Sequence, residues 1–296
     1  MLHFSTLSAM RRDLGLRPPE HPQLAIERGL RSCPLDGQAF TTDCYGIMFK
    51  KVKAGVMLYG RTAYDHTNGS LSFVKPRQRI EFRSLEVEED SFLLFMHEDY
   101  LNGHPLHKQI QHYTYFDYEV TEALHLSPRE EQVIWDLYAK IEAEYYSNPD
   151  EYTRLIILTH IDSLLTYCQR FYKRQLINRA ELSGKTVSKF REALAACLRD
   201  GSEPINGLPS VHQLASQLHV SPRYLSDLLK QETGKTAIEL IHIFLINEAK
   251  NRLKQNEQSI SEIAYRLGFE NPSYFSRLFK KEVGLSPNLF KKQLST

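Results

Sequence analysis

"SPRYLSDLLKQETG" at 221–234 and "NPSYFSRLFKKEVG" at 271–284 agree at seven of fourteen positions when one is laid on the other with a shift of 50. Each opens on a residue suited to cap a helix, followed by proline at the first helical position: Ser221-Pro222 and Asn271-Pro272. The matching apolar positions define an inward face, Leu225, Leu228 and Leu229 in one copy and Phe275, Leu278 and Phe279 in the other. A short amphipathic stretch precedes each copy, "VHQLASQLHVSP" and "ISEIAYRLGFENP". Short helix, tight turn and second helix predict two helix-turn-helix units, at about 210–233 and about 259–283. Gly268 stands in the second turn, where a positive φ is easily accepted, and His219 takes that place in the first.

The outward positions differ between the copies: Arg223, Ser226 and Asp227 against Ser273, Ser276 and Arg277. A common inside with a divergent outside is what two readers of different base sequences require. A purely structural repeat is the competing reading, but helical arrays need three or more contiguous units. The segment between the copies, "AIELIHIFLINEAKNRL" (about 237–254), has an apolar face of Leu240, Ile241, Phe244, Leu245 and Leu253. As a helix it would span roughly 27 Å, against about 34 Å between successive major-groove faces on one side of B-DNA. Three Ser/Thr-x-x-Glu/Gln boxes (Ser210/Gln213, Thr236/Glu239, Ser259/Glu262) and three cap-proline pairs, including Ser286-Pro287, sign six helix starts in this region.

The rest of the chain sets the frame. A 42% hydrophobic, 25% charged composition is that of a globular protein. No run of 18 apolar residues suits a bilayer, and the N-terminus lacks the apolar core of a signal peptide, so a cytoplasmic location is expected. Four cysteines without a CxxC pair point to reduced thiols. The net charge of +1 divides unevenly: residues 209–296 hold 12 Lys/Arg against 8 Asp/Glu, and residues 1–208 hold 25 against 28. The basic surplus lies with the repeat, where it permits nucleic-acid binding.

Residues 40–120 read as β structure from "YGIMFKKVKAGVMLYGRTAY", "GSLSFVKPRQRIEF" and "SFLLFMHEDYL", and their spacing suggests a barrel or a sandwich. From Ser127 the pattern turns helical, with a capping box to Glu130 and Ile134, Leu137, Ile141 and Tyr145 in helical register. A second helix (about 152–176) places Leu158, Ile161, Leu165, Cys168 and Tyr172 along a coiled-coil-like seam. That seam is expected to join two copies of the chain, with packing inside its own domain as the alternative. "FREALAACL" is a further amphipathic helix, and "DGSEPINGLP" (200–209) is a loop.

On these residues the chain resembles the AraC/XylS family of bacterial transcription regulators. The signature is "ISEIAYRLGFENPSYFSRLFKKEVGLSP", with its Gly-Phe turn, Tyr-Phe-Ser-Arg helix and Gly-x-Ser-Pro exit. The resemblance covers about the last third of the chain. It implies an α+β chain with three parts: a cupin-like effector-binding or sensor barrel (1–122), a helical dimerisation region (123–180) and an all-α DNA-binding domain (186–296). It implies double-stranded DNA, a small-molecule effector, RNA polymerase and a second copy of the chain as partners, with no cofactor and no enzymatic activity. It places DNA contacts at Arg223, Ser226 and Lys230 in the first helix, and at Ser273, Tyr274, Ser276, Arg277, Lys280 and Lys281 in the second. Asp227 departs from the basic residue that many members carry there.

Other constellations carry less. His97, His104, His107 and His112 lie within sixteen residues, but their spacing is not that of a metal-binding cupin. Lys75, Arg77 and Arg79 could neutralise an anionic effector or form a solvated strand edge, and the second is preferred. No GxSxG, HExxH or phosphate-cradling loop occurs. Two other functions stay open, a regulator whose barrel only dimerises and a metal-dependent cupin enzyme with a DNA-binding appendage.

Overall fold

The computed structural model describes residues 2–29, 38–51, 58–59, 62–63, 69–80, 90–118, 122–183, 186–199, 207–255 and 258–294. Most of "KVKAGVMLYGRTAY" and residues 200–206 of the expected loop lie outside that set. The chain divides into two compact units, Met1–Gln175 and Leu176–Thr296.

The first unit is built on β-strands β1 (Leu2–Phe4), β2 (Leu24–Arg28), β3 (Phe40–Thr42), β4 (Cys44–Lys50), β5 (Leu58–Tyr59), β6 (Thr62–Ala63), β7 (Ser70–Val74), β8 (Phe92–His97) and β9 (Leu124–His125). Its helices are α1 (Leu7–Asp13), α2 (Leu106–Gln109), α3 (Pro128–Tyr145) and most of α4 (Thr153–Ser183). Five strands form an antiparallel sheet in the order β2-β8-β4-β7-β9, with β1-β3 and β5-β6 as separate pairs.

Pleating gives the sheet two faces. Phe49, Phe92 and Phe73 look toward the helices: Phe92 stacks on Tyr138 of α3 at 4.0 Å, and Phe73 lies 4.6 Å from Tyr115. The opposite face carries Cys44, Met48, Val74, Phe95 and Ala25, which share a core with Leu7 and Met10 of α1.

These strands do not close into the expected cupin-like barrel. Closure would require the two edge strands, β2 and β9, to pair with each other, and among the described residues each has other partners. Along β9, helix α4 supplies side chains in place of a strand. Gln175 accepts from His125 N–H at 2.8 Å and donates to Ala123 C=O at 3.2 Å, as a neighbouring backbone would. Tyr172 donates to Glu122 C=O and Arg174 to His125 C=O. At β2, the Tyr145 hydroxyl donates to Leu24 C=O and accepts from Glu20 N–H.

A second correction concerns 98–117, expected as strand but folded as α2 and 3-10 turns at Glu98–Leu101, Ile110–His112 and Thr114–Asp117. Gly103 at φ 80° and Pro105 break extended pairing here. Two of the histidines hold these turns: His97 Nδ1 accepts from Asp99 N–H, and His104 Nδ1 from Leu106 N–H, both at 3.2 Å. Among the described residues no three His, Cys, Asp or Glu side chains converge as metal ligands.

The third correction is the seam. Leu158, Ile161, Leu165 and Cys168 have no exposed surface and Tyr172 has 3%, all within a single chain. Tyr115 donates to the Leu165 carbonyl at 2.9 Å and stacks on Tyr172. The heptad spacing therefore serves packing inside the unit, the alternative left open by the pattern.

The second unit contains α5 (Thr186–Arg199), α6 (Val211–Gln217), α7 (Pro222–Thr233), α8 (Ala237–Gln255), α9 (Ile260–Arg266), α10 (Pro272–Val283) and α11 (Pro287–Leu294). One core unites it: Phe190 and Leu194 of α5, Leu225 and Leu229 of α7, Ile241 and Leu245 of α8, and Phe275 and Phe279 of α10. No helix is long and apolar enough to cross a membrane among the described residues.

Candidate nucleic-acid interface

Local chemistry sets both helix pairs. Ser210 and Ser259 close full capping boxes with Gln213 and Glu262, starting α6 and α9. The Ser259 backbone N–H, followed by its hydroxyl, holds the Glu262 carboxyl below the usual carboxylate range. The turns then reverse through His219 at φ 55° and Gly268 at φ 86°, so both occupants of the equivalent position adopt the left-handed conformation. Gly268 has a second reason to be glycine, because a Cβ there would lie 2.4 Å from the Gly207 carbonyl oxygen.

The second helix of each pair starts on its predicted cap. Ser221 Oγ accepts from Tyr224 N–H at 3.2 Å, and Asn271 Oδ1 accepts from Ser273 N–H at 2.8 Å and Tyr274 N–H at 3.3 Å. Both helices are twelve residues long and end at a left-handed glycine, Gly234 or Gly284. Between them α8 runs for 19 residues, roughly 28 Å.

All nine candidate contact residues lie outside the core. Arg223, Lys230, Ser273, Tyr274, Arg277, Lys280 and Lys281 are exposed, while Ser226 and Ser276 are half-buried. On α10, Ser273, Arg277 and Lys281 stand on one row at steps of four, with Ser276 and Lys280 on the adjacent row. Among the described residues Arg277 has no ion-pair or hydrogen-bond partner, so its five donors are available. A surface pair with Glu270, the bland alternative for this arginine, does not occur.

The first copy is built differently at the same places. Arg223 Nε lies 3.6 Å from Asp227 Oδ2, one turn along α7, so the acid that departs from the family pattern holds the neighbouring guanidinium. Ser226 donates its hydroxyl to Pro222 C=O at 2.8 Å, which leaves its oxygen as an acceptor. Tyr224 is fully buried, whereas its counterpart Tyr274 is 40% exposed and lies 5.9 Å from Phe269. The identical letters at these two places conceal different roles. Tyr265 on α9, which no sequence cue singled out, is 50% exposed and offers a hydroxyl beside the second pair.

Residues 214–293 match a family model described as "Helix-turn-helix domain". The chain is 34% identical over 137 residues to the uncharacterized HTH-type transcriptional regulator YfiF of Bacillus subtilis, covering 46% of this chain and 40% of that one. It is 38% identical over 74 residues to the HTH-type transcriptional activator RhaS of Escherichia coli, covering 25% of this chain and 27% of that one. The chain therefore spans less than half the length of these curated relatives. A solved transcriptional regulator from Chromobacterium violaceum, described as having an AraC-type DNA-binding domain, is 25% identical; the alignment covers 38% of this chain and 97% of that one with a TM-score of 0.33. Two capped helix pairs around a shared core, the family match and the regulator relatives agree: residues 214–293 are an AraC-type helix-turn-helix domain.

Proposed function

We propose that the chain is a sequence-specific DNA-binding transcription regulator, with a C-terminal unit that reads duplex DNA through α7 and α10 and an N-terminal unit that receives a small-molecule effector. The observation that carries the DNA half is Arg277, exposed on the second turn of α10 and without an ion-pair partner among the described residues. Self-association and contact with RNA polymerase follow from the family resemblance alone. If the chain dimerises, its surface is not the buried 158–172 seam. Catalysis has no part in the proposal, and a cytoplasmic location goes with it.

If Arg277 grips a guanine through O6 and N7, Arg277→Ala should cost about 1–3 kcal/mol of binding and relax selection at one base pair. Lys280→Ala or Lys281→Ala should weaken all duplexes alike and lower the salt slope by about one. Binding selections from randomised DNA compare the three variants. Wild-type base preference at every position in the Arg277→Ala protein would remove base reading from this residue.

Asp227 separates two uses of the first helix. If it serves to restrain Arg223, Asp227→Asn should raise affinity for every duplex and steepen the salt dependence by about one unit. If instead it accepts from a cytosine N4 amine, the same change should weaken binding at one base pair by about 1–3 kcal/mol. Fluorescence anisotropy across a salt series, on matched and mismatched duplexes, gives opposite signs for the two.

A further inference from the structure

The repeat carries a charge reversal at the centre of its outward face. With the two helices laid on each other, the row Ser273, Arg277, Lys281 of α10 falls on Arg223, Asp227, Gln231 of α7. All six residues lie outside the core, and the two rows share none of them. The α10 row holds two cations and no acid, whereas the α7 row holds one cation and one acid. Arg277 stands where the first helix has Asp227.

The contacts widen the difference. Asp227 Oδ2 lies 3.6 Å from Arg223 Nε, so the one cation of the α7 row is held by its neighbour. Lys281 lies in the field of Glu239 and His242 on α8 but forms no ion pair among the described residues. Ser226 donates to Pro222 C=O at 2.8 Å, while Ser276, at the same place in α10, has no hydrogen-bond partner among the described residues. Its hydroxyl keeps a proton to donate to a base or a phosphate. Magnitudes rank these effects. An exposed ion pair one turn apart shifts an equilibrium by about a factor of two. An arginine forked onto a guanine discriminates by about tenfold to a hundredfold, and a carboxylate in the same place repels phosphate. The reversal at 227 and 277 outweighs the ion pair.

We infer that the two helices are unequal readers and that the chain's target is a non-palindromic duplex. Helix α10 sets affinity and register on a strongly specified half-site. Helix α7, with Asp227 restraining Arg223, adds a weakly specified half-site one helical turn away, roughly 10 base pairs. This rests on the DNA half of the function proposed above and names its class of duplex. Two equivalent readers in one chain would instead select a direct repeat of a single half-site.

The test uses the full chain. Selection from randomised DNA should return one block of strongly preferred base pairs and a weaker block about one turn away. On the selected duplex, Arg277→Ala should lower affinity by about tenfold or more and relax preference within the strong block. Arg223→Ala should lower affinity by less than about threefold. Each variant removes one exposed guanidinium, so attraction by charge alone predicts equal losses. Asp227→Asn should strengthen binding to every duplex by freeing Arg223. Circular dichroism melts check that the variants fold. Should an alanine variant fail to fold, Arg277→Lys and Arg223→Lys repeat the comparison, since lysine keeps the charge and removes the fork. The inference is overturned by two blocks of equal strength, by equal or reversed losses at 223 and 277, or by Asp227→Asn weakening binding at a single base pair. Wild-type protein that selects a duplex yet shows any of these loses only this inference. Wild-type protein that retains no duplex at low salt loses the DNA-binding proposal, and this inference with it.

Discussion

Leu165→Asp should unfold the N-terminal unit without changing the mass of any assembly. Leu165 has no exposed surface, and the Tyr115 hydroxyl that donates to its carbonyl belongs to a buried aromatic stack with Tyr172. A carboxylate there meets neither cation nor water, and an uncompensated buried charge costs about 3–5 kcal/mol. Domains of this size have about 5–15 kcal/mol in total. Urea titration followed by circular dichroism should show one of two transitions shifted to much lower denaturant. A variant that folds like the wild type and scatters light as half its mass would return the seam to a contact between chains.

Gly268→Ala should destabilise the C-terminal unit by about 2–5 kcal/mol. The left-handed backbone costs an L-residue about 1–2 kcal/mol, and forcing a methyl into packed structure adds about 1–3 kcal/mol. Here the methyl would meet backbone, the Gly207 oxygen at 2.4 Å and carbon at 2.9 Å, so a side-chain rotation cannot relieve it. His219 is the internal control, because it already holds a Cβ at φ 55° in the equivalent turn. His219→Gly should move the melting midpoint little. Equal small shifts for the two substitutions would mean that the backbone at Gly207 yields without cost.

The six helix starts of the second unit were legible because a capping residue and its partner sit three positions apart and need nothing else. The inward face of the repeat was legible for the same reason, since helical period is a local property. The sheet was not. Whether β9 pairs with another strand or with Gln175, some fifty residues along the chain, is decided by distant side chains that no window contains. The run at 158–172 shows a different limit. Heptad spacing marks a buried stripe, and that stripe is the same whether the surface covering it belongs to this chain or another. At the candidate interface, all nine contact positions were readable as outward residues. The restraint of Arg223 by Asp227 was not, nor the burial of Tyr224 against the exposure of Tyr274, because a repeat alignment records identities and not surroundings.

The strand order β2-β8-β4-β7-β9 has a consequence for biosynthesis. Leu24 must wait for Met96 before its edge strand has a neighbour, and the sheet lacks its other edge until His125 is made and pairs with Ser70. Non-local pairing of this kind closes slowly, while local helical contacts close fast. The N-terminal unit therefore leaves the ribosome first yet stays incomplete until α4 has emerged, whereas each capped helix of the later-made unit can lock as it appears. Sequence changes in the sheet will accordingly register as lost soluble yield in the cell well before they alter any property of the mature protein.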